Sequence, residues 1–176
     1  VGSGIVGLNC ALALKKKYPK AKVLILEKGM LPQGASTKNA GFACFGSLSE
    51  LIDDLKTHTE QEVFNLVYKR WKGLQLLRQN LGDQNIDFQQ NKGFELCENE
   101  AFFEECISKK AQINQLLKSI FNADVFSETT NVFGFQNIYK TYITNNFEGQ
   151  IDTGKMVAKL LLKVQILGVK ILNNIE

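Results

Sequence analysis

The chain opens on VGSGIVGLNC, a G-x-G-x-x-G formed by Gly2, Gly4 and Gly7. That pattern constrains a fold because it has structural meaning only where a strand runs into it and a helix leaves it. Val1 is the one residue left for such a strand, which raises the expectation that the sequence is a fragment whose first strand lies mostly upstream. From Ile5 to Tyr18 small and apolar residues dominate, Lys15, Lys16 and Lys17 suit the negative end of a helix, and Pro19 stops the run. KVLILE follows, a short β-branched and leucine stretch of the kind that makes a strand buried on both faces. Strand remnant, glycine turn, helix and strand begin a parallel βαβ unit.

Past Glu27 the periodicity vanishes. KGMLPQGASTKNAGFACFGS has neither helical nor strand spacing, and long irregular segments within a domain are usually functional. Ser47 with Glu50, and Thr59 with Glu62, have capping-box spacing and predict two helix starts. The second helix is marked by Val63, Phe64, Val67, Trp71, Leu74 and Leu77, and ends at Leu81 and Gly82. IDFQQ and GFELC read as short strands, and residues 100–121 as an amphipathic helix. IYKTYITNNF reads as a β segment rich in Tyr and Thr. Asp152 caps a last helix that Gly168 ends before the strand VKIL. The order βαβ, mixed insertion, αβ return predicts an α/β fold: a Rossmann-like core with an incomplete parallel sheet and an inserted α+β substrate or cap region. The expected boundaries are 1–46 for the first part of the core, 47–147 for the insertion and 148–176 for the return.

The glycines have a chemical reading. Gly2 permits the tight turn, Gly4 admits a pyrophosphate to the backbone, and Gly7 lets helix and strand pack closely, while the helix start offers amides to phosphate charge. Ser3, Ile5 and Val6 supply the remaining backbone of that turn. Glu27 ends the next strand 20 residues after Gly7, where a carboxylate accepts ribose hydroxyls and repels a 2′-phosphate. A strand-end carboxylate that is merely solvated, and a glycine turn without ligand, are the plainer readings.

NAD and FAD use the same fingerprint, and the following segment separates them. GSGIVG, Glu27-Lys28 and GASTKNAGF, together with EGQIDTGKMVAKLLLKVQILGVKIL near the end, resemble the D-amino acid oxidase and glycine oxidase superfamily of FAD-dependent enzymes. The likeness covers about 1–46 and 148–176, and departs where Thr153 stands in place of a common proline. The resemblance implies FAD as cofactor. It implies that Lys28 belongs to the strand-end motif, that Ser36, Thr37, Lys38 and Asn39 lie along the pyrophosphate and ribityl chain, and that Ala40, Gly41 and Phe42 border the flavin ring. Turn-forming roles for Ser36, Thr37 and Asn39, and a core role for Phe42, are the alternatives. The implied reaction is oxidation of an amine or amino acid, with hydride passing to the flavin, hydrolysis of the imine, and reoxidation by oxygen or another acceptor. A 2-hydroxy acid dehydrogenase of the same fold, an NAD-dependent dehydrogenase and a non-catalytic FAD-binding protein are the rivals. Superfamily members are longer, so the fragment is expected to be inactive by itself, with catalytic residues outside it.

Other candidates carry less. A net charge of +3 spread along the chain argues against a nucleic-acid groove, and no apolar run is long enough to span a bilayer. Cys10, Cys44, Cys97 and Cys106 form no C-x-x-C pair, so no metal site or disulfide framework is expected, and mostly buried, reduced thiols fit a cytoplasmic protein. Cys44 is read as a buried structural cysteine rather than a redox thiol. His58 is read as an exposed linker histidine. Arg70 and Arg78, the two arginines, are read as surface residues with packed stems, which leaves a carboxylate clamp for substrate to come from elsewhere. Trp71, Tyr139 and Tyr142 are read as core rather than cavity lining.

Overall fold

The computed structural model describes residues 2–175, so the strand remnant at Val1 lies outside the described residues. In chain order the elements are α1 (Ile5–Lys17), β1 (Leu24–Leu26), α2 (Ala35–Lys38), β2 (Phe42–Ala43), α3 (Leu48–Thr57), α4 (Glu60–Leu81), α5 (Asp83–Ile86), β3 (Gly93–Glu95), α6 (Glu100–Phe121), β4 (Phe126–Thr130), β5 (Thr141–Asn145), β6 (Gly149–Gln150), α7 (Thr153–Ile166) and β7 (Lys170–Leu172). They fall into two compact units. One comprises residues 2–42, 77–89 and 151–175, and the other residues 43–76 and 90–150. Residues 77–89, within the stretch read as inserted, thus pack in the first unit.

In the first unit β1 and β7 pair in parallel, with Leu24 opposite Lys170, Ile25 opposite Ile171 and Leu26 opposite Leu172. This is the expected αβ return. Leu8 and Leu12 of α1, Met156, Leu160 and Val164 of α7, and Ile25 share one buried cluster. β1 is not buried on both faces, however, because Leu24 is 52% and Leu26 42% exposed while Ile25 is buried. Strand side chains alternate, and the helices cover only the Ile25 side. Asp152 caps α7 as its spacing predicts, its Oδ1 accepting the Lys155 amide at 2.8 Å.

The second unit is built on an antiparallel sheet of order β3-β5-β4. One face carries Phe126 and Ile143 into a cluster with Leu48 and Leu51 of α3, Val63 and Val67 of α4, and Phe103, Ile113 and Leu117 of α6. Both helix starts form, but only the second as a full capping box, since the Glu50 carboxylate pairs with Arg70 rather than with the Ser47 amide. Ser47 Oγ accepts the Glu50 amide at 3.3 Å, while Thr59 and Glu62 exchange bonds in both directions. Asn114, buried on α6, both accepts the Phe126 amide (2.8 Å) and donates to the Phe126 carbonyl (2.9 Å), which fixes the start of β4 on the helix.

Two strand readings need correction. IDFQQ is not a strand: its Ile86 ends α5, and Asp87 takes a left-handed conformation with φ 51°. The cause is local, since Arg78 holds Asp83 through Nε (2.9 Å) and a second guanidinium nitrogen (2.8 Å) and so closes a helical turn there. Conversely β4 lies in NADVFSETTN, which was not read as a strand. Its Thr129 and Thr130 are good strand formers, but its alternation is of polar residues, and pairing with β5 rather than an apolar period makes it extended.

Candidate cofactor-binding site

All the residues singled out around the glycine turn lie in the first unit. α1 begins at Ile5 with Gly4 as its N-cap, and the Leu8 amide takes the Gly4 carbonyl at 3.0 Å. The amides of Ile5, Val6 and Gly7 therefore stand ahead of the first intrahelical donor, at the positive end of a 13-residue helix. The Ile5 amide donates to Ser36 Oγ at 2.9 Å. A Cβ on Gly4 would stand 2.9 Å from that same hydroxyl, so the absent side chain is what lets the two segments meet.

Glu27 closes the turn from the other side. Its Oε2 accepts both the amide and the hydroxyl of Ser3, each at 2.7 Å, and Oε1 accepts the Gly29 amide at 3.1 Å. These bonds, the Ser3 hydroxyl first, hold the carboxyl below the usual carboxylate range, so it is ionised at neutral pH. The Lys28 amide also faces this carboxylate, so the acid expected to grip a ribose is mainly engaged in shaping the glycine turn.

Residues 36–42 are anchored by their polar side chains. Thr37 Oγ1 donates to the Pro32 carbonyl at 3.0 Å. Asn39 donates to the Ser36 carbonyl (2.9 Å) and accepts from the Gly41 amide (2.9 Å) and from Thr153 Oγ1 (2.9 Å). Its amide is therefore committed to the turn. The left-handed residue is Gly41, with φ +79°, where any Cβ would overlap the Ile151 carbonyl oxygen. Ala40 and Phe42 are exposed, Phe42 at 76%, which corrects the core alternative for Phe42. Lys28 and Lys38 are exposed as well.

The structure thus joins Ser3 to Glu27 and Ile5 to Ser36. The Val6 and Gly7 amides ahead of the first intrahelical bond and the Ser36 hydroxyl proton suit a diphosphate-bearing ligand, whereas the Ile5 amide is taken by Ser36, the buried Ser3 hydroxyl is taken by Glu27, and the Glu27 and Ser36 side chains fill the space beside Gly2 and Gly4. Sequence reasoning missed Thr153 as a site residue, although its replacement of proline was a signal, because proline could not donate to Asn39.

The remaining candidates resolve plainly. Cys97 and Cys106 are buried, and burial pushes both thiols up to about 11. Cys10 and Cys44 are exposed, so thiols are not mostly buried and Cys44 is no core residue. Cys44 lies just past β2, after exposed Phe42 and buried Ala43. His58 is exposed, as expected, and contacts Thr57 Oγ1 at 2.9 Å. Arg70 donates to the Phe45 carbonyl (3.1 Å) and Glu50 (3.0 Å), and Arg78 pairs with Asp83 and lies over the Phe88 ring at 3.9 Å. Both guanidiniums are engaged within the protein. Tyr142 is buried, while Trp71 and Tyr139 pack on the core cluster of the second unit. Among the described residues no group of acidic, His or Cys side chains is arranged to hold a metal, and no helix is long and apolar enough to cross a membrane.

Comparison with solved structures places this geometry. Glycine oxidase from Bacillus cereus superposes with a TM-score of 0.60 at 18% identity, over 98% of this chain and 44% of that one. L-amino acid deaminase from Proteus myxofaciens gives 0.68 at 18%, over 98% and 37%. Iminodiacetate oxidase from Chelativorans sp. gives 0.68 at 17%, over 98% and 45%. The chain therefore spans less than half the length of these proteins. No curated protein matches it. The profile described as FAD dependent oxidoreductase, DAO, matches residues 1–176. With the glycine turn, the parallel return strand and that match over its whole length, the chain belongs to the DAO family of FAD-dependent oxidoreductases.

Proposed function

We propose that this chain forms the adenine-nucleotide side of an FAD site in a longer enzyme that oxidises an amine or amino acid. Bound FAD would supply the two-electron acceptor, the hard chemistry of the reaction. The chain's own residues bind and orient. The Val6 and Gly7 amides and the Ser36 hydroxyl serve the diphosphate, while the Ile5 amide holds Ser36 and the Ser3 hydroxyl holds Glu27 in place. Glu27 serves the adenosine ribose and holds the turn in shape. Thr37 and Asn39 keep the following segment in place, with Lys38 exposed between them, so that Ala40, Gly41 and Phe42 present small side chains, backbone and one exposed ring to the flavin.

One observation supports the reading above the rest: Ser36 Oγ on the Ile5 amide, which brings the GASTKNAGF segment onto the phosphate turn across 31 residues. An NAD site needs only the turn and the acid and has no use for that segment. The amine or amino acid class is favoured over 2-hydroxy acids because glycine oxidase, L-amino acid deaminase and iminodiacetate oxidase are named for nitrogen-bearing acids. With Arg70 and Arg78 engaged, a substrate carboxylate would find its guanidinium partner outside this chain.

The test is to purify the full-length protein, record its visible absorbance, and add substrates without oxygen. Flavin bands that bleach with amino acids or N-methyl amino acids are expected. A colourless protein ends the cofactor reading, and bleaching by 2-hydroxy acids alone ends the amine reading. The 176-residue chain by itself is expected to bind FAD weakly and to be inactive.

A further inference from the structure

The second unit holds a cluster of charged groups that the flavin reading leaves unused. It surrounds the turn between β2 and α3, the stretch of chain that follows Ala40–Phe42. Glu148 Oε1 accepts the Phe45 amide at 3.3 Å, and the Gly46 amide also faces this carboxyl. Arg70 donates to the Phe45 carbonyl at 3.1 Å and, from the same nitrogen, to Glu50 at 3.0 Å. The peptide groups on both sides of Phe45 are thus held by side chains of opposite charge. Glu95 of β3 accepts from the Ser49 hydroxyl and, at 3.4 Å, from the Ser49 amide.

Glu148 is itself built in. Its carbonyl accepts the Lys92 amide at 3.0 Å, and residue 93 is glycine where a Cβ would overlap Glu148 Oε2. A turn that needed only to be a turn would not place a half-buried carboxylate here, because desolvation disfavours its charged form. Glu50 on α3 and Glu95 on β3 lie close enough to Glu148 to oppose its charge, Arg70 on α4 pairs with Glu50, and the Cys44 thiol lies within reach of Glu148, Glu50 and Arg70.

We propose that Glu148 is a positioning residue: by holding the Phe45 amide while Arg70 holds the Phe45 carbonyl, its carboxylate sets the path of the chain as it leaves Ala40–Phe42. The role toward a cofactor rests on the reading of Ala40–Phe42 as flavin-facing, whereas the hold on Phe45 does not. The adjacent Cys44 reports on the latch. Burial first, then the charges of Glu148 and Glu50, raise its thiol, and Arg70 opposes them. Burial pushes Glu148 up to about 7, against the two amides that hold it down and with Glu50 and Glu95 adding to the rise.

The test uses the full-length protein, with alkylation of Cys44 read from its own peptide by mass spectrometry, and compares Glu148→Gln and Glu148→Ala. Gln keeps the acceptor and removes the charge, while Ala removes both. Residue-resolved hydrogen exchange is expected to show Phe45 protection retained in Gln and reduced at least about tenfold in Ala, with α6 unchanged. Alkylation of Cys44 at pH 8 is expected to rise several-fold, to about tenfold at most, in both variants. Its pH profile should lose an inflection near 7 in Glu148→Gln. Unchanged Phe45 protection in Ala, protection lost evenly through the second unit, or identical alkylation profiles in Gln and wild type would each overturn the proposal. The Gln profile decides the matter alone if Ala fails to fold. A colourless full-length protein would remove the role toward flavin while leaving these flavin-free readouts as they stand.

Discussion

Glu148→Gln should remove a pH dependence from the stability of the second unit. The Glu148 carboxyl is raised from an ordinary 4.5 to about 7 in the folded protein, chiefly by burial. Between those values the native state keeps a proton that the unfolded chain has released. The stability contributed by this group is therefore full below about pH 4.5, declines as pH rises, and is lost above about 7. At about 1.4 kcal/mol per pH unit the difference sets a ceiling of about 3.5 kcal/mol. Partial exposure of the carboxyl reduces the expected change to about 1–2 kcal/mol. Urea denaturation between pH 5 and 8.5 reads it through Trp71, the single tryptophan, which packs on the core cluster of this unit. That window stays above the lowered carboxyls of Glu27, Asp83 and Asp87 and below the buried thiols of Cys97 and Cys106. Wild type should lose stability across it by about 1 kcal/mol or more relative to Glu148→Gln. Comparing slopes cancels any pH-independent cost of the substitution. Parallel curves for the two proteins would refute the burial argument.

Gly41→Ala should destabilise the first unit by about 2 kcal/mol or more, because φ is +79° and the new methyl would overlap the Ile151 carbonyl; chemical denaturation measures this. Asn114→Ala should cost about 2–3 kcal/mol, since it orphans the buried amide and carbonyl of Phe126 together, and should be visible in the same Trp71 assay. Asp83→Asn should flatten the loss of stability on acidification. Arg78 holds the Asp83 carboxyl below its ordinary value, so its contribution is present above that value and disappears as pH falls through the folded one. Thr153→Pro should leave α7 intact, because the first helical position tolerates proline, yet free Asn39 and speed amide exchange at Gly41.

The glycine turn, the helix starts at Ser47 and Thr59, the Asp152 cap and the amphipathic run of α6 were all legible in the sequence. Each is written by residues within a few positions of one another, and local sterics and hydrogen bonding act over that range. So were the α/β class and the FAD-dependent family, whose motifs are short and contiguous. Local reading failed at IDFQQ because it weighed apolar period over the nearby Arg78–Asp83 pair that closes a helical turn, and it failed elsewhere because distant partners decide: pairing with β5 made SETT a strand, and the burial of β1 depends on what covers each face.

The partners of the site residues were beyond the sequence. Ser3 finds Glu27 across 24 residues, Ile5 finds Ser36 across 31, Phe45 finds Glu148 across 103 and Asn39 finds Thr153 across 114. No periodicity or spacing encodes such pairs, because a hydrogen bond depends on distance in space, and the closing of β7 onto β1 and of β5 onto β3 and β4 creates those distances. Residue types alone established what chemistry the chain is equipped for. Which carboxylate shapes the phosphate turn, and which one carries a proton near neutrality, was decided by burial and neighbours that exist only in the folded protein.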